Sequence, residues 1–161
     1  MYGHVLFLLA SYYIVGSVAQ RNVTIDDTDK AIVYTNSDWS ASTDSTLDYN
    51  GTLHLTNDDA ALATFTFTGT AIYFVSPLWS LAISTQLQLD SQPPVSLNLT
   101  DPDPTNSTTV SFAVIWGSGP LSNTNHTVRL SKTPGIEWAV VDALMWVLCN
   151  SLSSWFRSWI L

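Results

Sequence analysis

The chain is short of cations, glutamate, cysteine and histidine. Its 161 residues carry five lysines and arginines against thirteen acids, for a formal charge of −8, and its one glutamate is Glu137. No cation lies between Lys30 and Arg129. Nucleic-acid affinity rests on Lys and Arg neutralising phosphates, so a nucleic-acid partner is excluded. Attraction to an anionic membrane surface is disfavoured for the same reason. Cys149 is alone, so no intrachain disulfide staples the domain and stability has to come from a buried core. Its neighbours Trp146, Val147 and Leu148 predict burial, with pairing between chains as the alternative.

The scarcity of histidine bears on catalysis. Beyond the N-terminal segment only His54 and His126 remain as bases for a Ser-His-Asp arrangement, and both sit in strand-like segments with Thr neighbours. The serine of Gly117-Ser118-Gly119-Pro120 lacks the strand-to-helix elbow that exposes a nucleophile. Zinc-ligand spacing is absent. A glycosidase needs two opposed carboxylates, and the plentiful acids supply only an acidic context for one. No catalytic residue is assigned, and a glycoside or ester hydrolase stays as the lesser alternative.

What is present points outward from the cell. Val5 to Val15 is an apolar run followed by Gly16-Ser17-Val18-Ala19. Small residues at Ser17 and Ala19 fit a secretory signal peptide over residues 1–19, although Lys and Arg are missing from its first residues. A retained anchor is the other reading, but the run is short for a membrane span. Asn22, Asn50, Asn98, Asn106 and Asn125 each open an Asn-X-Ser/Thr tripeptide, the acceptor for N-glycosylation. Together these predict a secreted or surface glycoprotein whose acceptor asparagines are solvent-facing.

From Asn22 onward the pattern is that of β-structure. In Ala63-Thr-Phe-Thr-Phe-Thr68 the phenyl rings share one face and the hydroxyls the other, a strand with one buried and one wet side. Gly69-Thr70 breaks the run, and 71–75 reads as a second strand, a hairpin partner for the first. Further strands are expected at 23–25, 31–34, 52–56, 86–90, 95–99, 110–116, 126–131 and 138–145, with turn signals between them and no helical pattern from Asn22 to Asp142. The fold class is all-β, an antiparallel β-sandwich or jelly roll over residues 20–147. Leu148, Leu152, Trp155, Phe156, Trp159 and Ile160 recur at helical spacing. Residues 148–161 are therefore expected as a short amphipathic C-terminal helix, packed on the sandwich or lying on a membrane.

Two groups of side chains carry possible chemistry. Asp26, Asp27 and Asp29 crowd one loop, where carboxylates can ligate calcium or can bond their own backbone in a tight turn. Calcium would need ligands from a second segment, so the turn is the favoured reading. Trp79, Trp39 and Tyr49 are candidates for stacking on sugar rings. Trp39, like Trp116 and Trp138, also suits the core. Trp79, in Ser76-Pro-Leu-Trp-Ser80, reads as lying in a loop able to hold it outward, with a place in the core as the equal alternative.

The succession Asn22-Val-Thr-Ile-Asp-Asp, Ile32-Val-Tyr34, Trp39, Tyr49-Asn-Gly-Thr-Leu-His54, Ala63 to Tyr73, Asn125-His-Thr-Val128 and Trp138 to Asp142 resembles the ectodomain of a large family of fungal, mainly basidiomycete, surface proteins. That ectodomain is similar to galactose-binding-like jelly rolls, as found in many carbohydrate-binding modules. The resemblance implies the fold, an extracellular location and, in such folds, a frequent structural calcium. It is departed from at the C-terminus, where the family often continues into a transmembrane helix and a Ser-rich tail. The expected function is non-catalytic recognition of a glycan or cell-wall polysaccharide. The alternative is a structural or adhesion role through protein partners.

Overall fold

The computed structural model describes residues 19–35, 38–43, 46–103 and 110–150. The apolar run 5–15, Asn106 and residues 151–161 lie outside these. The elements are β1 (Ala19–Asp26), β2 (Ile32–Thr35), β3 (Ser40–Thr43), a 3-10 turn (Tyr49–Gly51), β4 (Thr52–Thr56), β5 (Leu62–Gly69) and β6 (Ala71–Leu78). They continue with β7 (Ser84–Leu89), β8 (Val95–Asn98), β9 (Val110–Gly117), β10 (Thr124–Lys132), β11 (Ala139–Val141) and β12 (Ala143–Asn150). A four-stranded sheet runs β1-β12-β6-β9, a five-stranded sheet β2-β5-β10-β7-β8, and a small sheet β11-β4-β3. Every ladder between these strands is antiparallel.

The alternation in β5 sets the packing. Ala63, Phe65 and Phe67 are buried while Thr66 and Thr68 face solvent. Register places Phe65 between Ile32 and Val128, so three buried side chains line up across three strands. The four-stranded sheet answers with Ile25, Leu144 and Phe74 in one row. The sheets meet where the Phe65 ring lies 5.2 Å from that of Trp146. Full burial of a side chain such as Phe65 or Phe74 contributes about 1.5–3 kcal/mol, which is how a domain without a disulfide holds together.

Three expectations need correcting. β5 and β6 do not form a hairpin; they belong to opposite sheets. The crossing is made at Gly69, where a Cβ would come within 2.5 Å of the Val147 carbonyl oxygen, and at Thr70, whose N–H bonds that same oxygen. The long strand foreseen over 138–145 is two strands with Asp142 at the joint. The sandwich also runs to Asn150: Leu148 and Cys149 pair with Arg21 and Gln20 in β12 rather than opening a helix. Leu144, Trp146 and Leu148 alternate on one side of that strand, and cross-strand pairing outweighs the helical spacing that Leu148 shares with later residues. Cys149 is half-buried. Among the described residues no helix is long and apolar enough to cross a membrane.

Candidate functional site

The crowded loop after β1 divides its acids between two jobs. Asp29 makes the turn: its Oδ1 accepts from the Ala31 N–H at 2.8 Å, and its N–H bonds the Asp26 carbonyl. Asp26 and Asp27 turn instead toward Asp142, and one carboxylate oxygen from each of the three lies within 4.8 Å of the others. Asp27 and Asp142 are wholly buried. Thr52 Oγ1 donates to Asp27 Oδ1 at 2.6 Å, and His54 Nδ1 lies 2.5 Å from Asp27 Oδ2. The Tyr49 N–H donates to both oxygens of Asp142 at 3.0 and 3.1 Å. Burial pushes Asp142 up to about 8; the Tyr49 N–H pulls it down, and Asp48, Asp27 and Asp26 add to the rise. The buried Oδ1 of Asp26 has no hydrogen-bond partner.

That donor set suits a hard cation, which takes oxygen ligands from more than one segment. Asp26, Asp27 and Asp142 would hold it, and Asp29 would not. Asp142 went unrecognised in the sequence, although a lone acid inside Trp138-Ala-Val-Val-Asp-Ala-Leu-Met145 is a visible signal, since acids are rarely fully buried unless paired.

Both histidines among the described residues, His54 and His126, are committed to acids. His54 stacks on Tyr34 at 4.3 Å, and the Tyr34 hydroxyl donates to the Asp27 carbonyl at 2.9 Å. His126 has Nδ1 2.8 Å from Asp90 Oδ2 and Nε2 2.8 Å from the Ser122 carbonyl oxygen. A base poised to take a serine proton keeps one ring nitrogen toward the nucleophile; here the Ser122 backbone occupies it. Nothing local in the sequence marks the Asp90–His126 pair, whose members are 36 residues apart.

The aromatic candidates separate. Trp39 is buried, its ring 5.3 Å from Tyr34, and has no face for a ligand. Trp79 is half-buried against the core, with its N–H on the Leu99 carbonyl and its carbonyl accepting from Asp101, so the expected outward loop is a pinned bridge to Thr100. Tyr49 is half-buried and meets Phe112 edge-on, ring centroids 5.5 Å apart. Phe112 is 42% exposed and Val114, two residues along β9, 53%. Phe112 escaped notice because the run 110–116 is almost wholly apolar and reads as a buried strand, whereas β9 is the edge of its sheet. Tyr73 and Val147, on the same sheet, line a groove of about 330 Å³ with Gln20, Ala71, Pro120 and Leu121.

No family model and no curated protein matches the chain. Solved structures do. A GH26-CBM35 β-(1,4)-mannanase of Podospora anserina matches with TM-score 0.54 at 12% identity, over 80% of this chain and 28% of that one. A Paenibacillus xanthan lyase matches with TM-score 0.54 at 13% identity, over 79% and 13%. The Agl-KA catalytic domain matches with TM-score 0.50 at 11% identity, over 88% and 30%. The chain spans less than a third of each of these. Its fold is the antiparallel β-sandwich that it shares with them.

Proposed function

We propose that this chain is a non-catalytic glycan-recognition module working outside the cell, as the resemblance to fungal surface proteins implies. The observation that carries the reading is the Phe112–Tyr49 pair: an exposed phenyl ring buttressed edge-on by a tyrosine. Sugar rings offer apolar C–H faces to such surfaces, and concave sites that combine apolar walls with a few polar groups are where small ligands bind. The sandwich it shares with a mannanase bearing a CBM35 module supports the same class of ligand. An extracellular setting is supported by Asn22, Asn50, Asn98 and Asn125, four acceptor asparagines that are all exposed.

The test is retention of the full chain on insoluble β-(1,4)-mannan, cellulose, chitin and β-glucan. Retention on at least one of these, lost in Phe112→Ala with an unchanged melt, is the expected result. Absence of retention on all of them, with the chain folded, overturns the reading and turns attention to a protein partner.

A further inference from the structure

We propose that the ligand is a neutral, linear polysaccharide laid along β9 across several sugar units, on the side of the four-stranded sheet shared by Phe112, Val114 and Tyr73. The proposal rests on the glycan reading above and deepens it.

Register assembles this track. Val114 stands opposite Val75, Gly117 opposite Tyr73, and Val147 opposite Ala71. β9 is bulged on either side of Val114, and Phe112, beside the second bulge, is exposed like Val114. At Gly117 a Cβ would fall 2.7 Å from Tyr73 Cδ1. The tyrosine ring therefore leans over β9 into the space a side chain at 117 would need, and it is half-buried. Beyond it the groove of about 330 Å³ continues over Ala71, Val147, Leu121 and Pro120. The length is read on β6, which is not bulged: Tyr73, opposite Gly117, and Ser76, opposite Ala113, are ~10 Å apart at about 3.3 Å per residue, and Phe112 lies one residue further, more than a single sugar ring can fill. Apolar surface at both ends of that length calls for a chain of rings.

Charge selects the kind of chain. From β1 to β9 the rows on this side are Asn22–Val147–Ala71, Thr24–Met145–Tyr73–Gly117 and Asp26–Ala143–Val75–Val114. Asp26 is the charged member and no Lys or Arg stands in these rows, so a uronate or sulfated sugar finds no basic side chain to pair with here. Gln20, Asn22 and Thr24 supply uncharged hydrogen-bonding groups along the far border.

The experiment is calorimetric titration of the full chain with neutral β-linked oligosaccharides from mono- to hexasaccharide, beside a polyuronate. Affinity is expected to climb by about tenfold or more from the shortest to the longest ligands. Tyr73→Ala should remove that gain and keep short-ligand binding at Phe112. Val114→Asp, at an exposed position, should do the same and serves as the check if Tyr73→Ala melts early. Equal affinity for short and long ligands, or no effect of either variant, overturns the track and leaves the glycan reading standing. Tighter binding of the polyuronate overturns the neutral assignment. Absence of binding to every ligand, soluble or insoluble, sinks the glycan reading itself. A dimer by sedimentation that Val114→Asp dissolves would make the face a contact between copies instead. Asn22→Gln runs in parallel, because Asn22 stands opposite the groove residue Val147; binding only in that variant would mean that the chain's own glycan fills the groove, and would also overturn the proposal.

Discussion

His126 bridges two acceptors: its Nδ1 reaches the Asp90 carboxylate and its Nε2 the Ser122 carbonyl, each at 2.8 Å. A neutral imidazole has one N–H, so both bonds form only when the ring is doubly protonated. The Ser122 carbonyl and then Asp90 raise the histidine above its ordinary 6.5, against the effect of burial. Asp90 is held low in return: some desolvation works upward, and the bonds from His126 and the Thr127 N–H outweigh it.

The sign of the pH effect follows. A base whose value is raised on folding contributes stability that is complete below about 6.5 and is lost as pH climbs through the folded value. Asp90, lowered, contributes above its unfolded value of 3.8 and loses that contribution as pH falls through its folded value. His126→Gln should therefore lower the melting temperature most near pH 5 and much less near pH 9. Thermal melts across that range check it, and a deficit independent of pH would contradict the bridge.

Asp142 should act in the opposite region. Its folded value of about 8 lies far above its ordinary 3.8, so its contribution is complete below the unfolded value and fades as pH rises toward the folded one. Asp142→Asn keeps an oxygen for the Tyr49 N–H and removes the charge. The variant should gain on the parent as pH rises, read as a flatter curve of melting temperature against pH.

Calcium should take over the role of that proton. With Asp26, Asp27 and Asp142 converging, millimolar calcium is expected to raise the melting temperature more at pH 8.5 than at pH 5, and not at all in Asp142→Asn. Equal melts with calcium and with chelator at both pH values would show that His54 and the hydrogen bonds hold the cluster unaided.

Trp79 and Phe112 should respond oppositely to truncation. Trp79→Ala opens a partly buried site and should cost about 2 kcal/mol, below the usual range for a fully buried Trp. Phe112→Ala, at an exposed position, should stay within about 0.5 kcal/mol. Denaturant unfolding of the two side by side decides it.

Gly69→Ala tests the crossover between the sheets. The added methyl meets a backbone oxygen rather than a flexible side chain, so a loss of about 1–3 kcal/mol is expected from overpacking. A neutral result would mean that the β5–β6 corner has slack.

Local pattern and long-range partnership were not equally legible in the sequence. The Thr-Phe alternation in β5 announces a half-buried strand without any partner being known, and 52–56 was found to the residue because its ends carry turn signals. Which strand pairs with which is not a local property. Gly69-Thr70 looks like a hairpin turn, and only Val147, far along the chain, reveals it as a corner. The acid loop was half legible for the same reason. Asp29 bonds a backbone two residues away, as a local rule predicts, while Asp26 and Asp27 answer to an acid more than a hundred residues later. Tyr49 was found as a candidate aromatic, and its companion Phe112 was hidden by an apolar run that is a core signature anywhere except at a sheet edge.

The pairing of Ala19 with Asn150 joins the first described residue to the last. β12 enters between β1 and β6, so β1 has no neighbour in its sheet until β12, the last of the described strands, has been made. The domain is thus finished in one late closure. Once closed, it holds Ala19 and Asn150 side by side, a hundred and more residues apart in the chain and neighbours in the sheet.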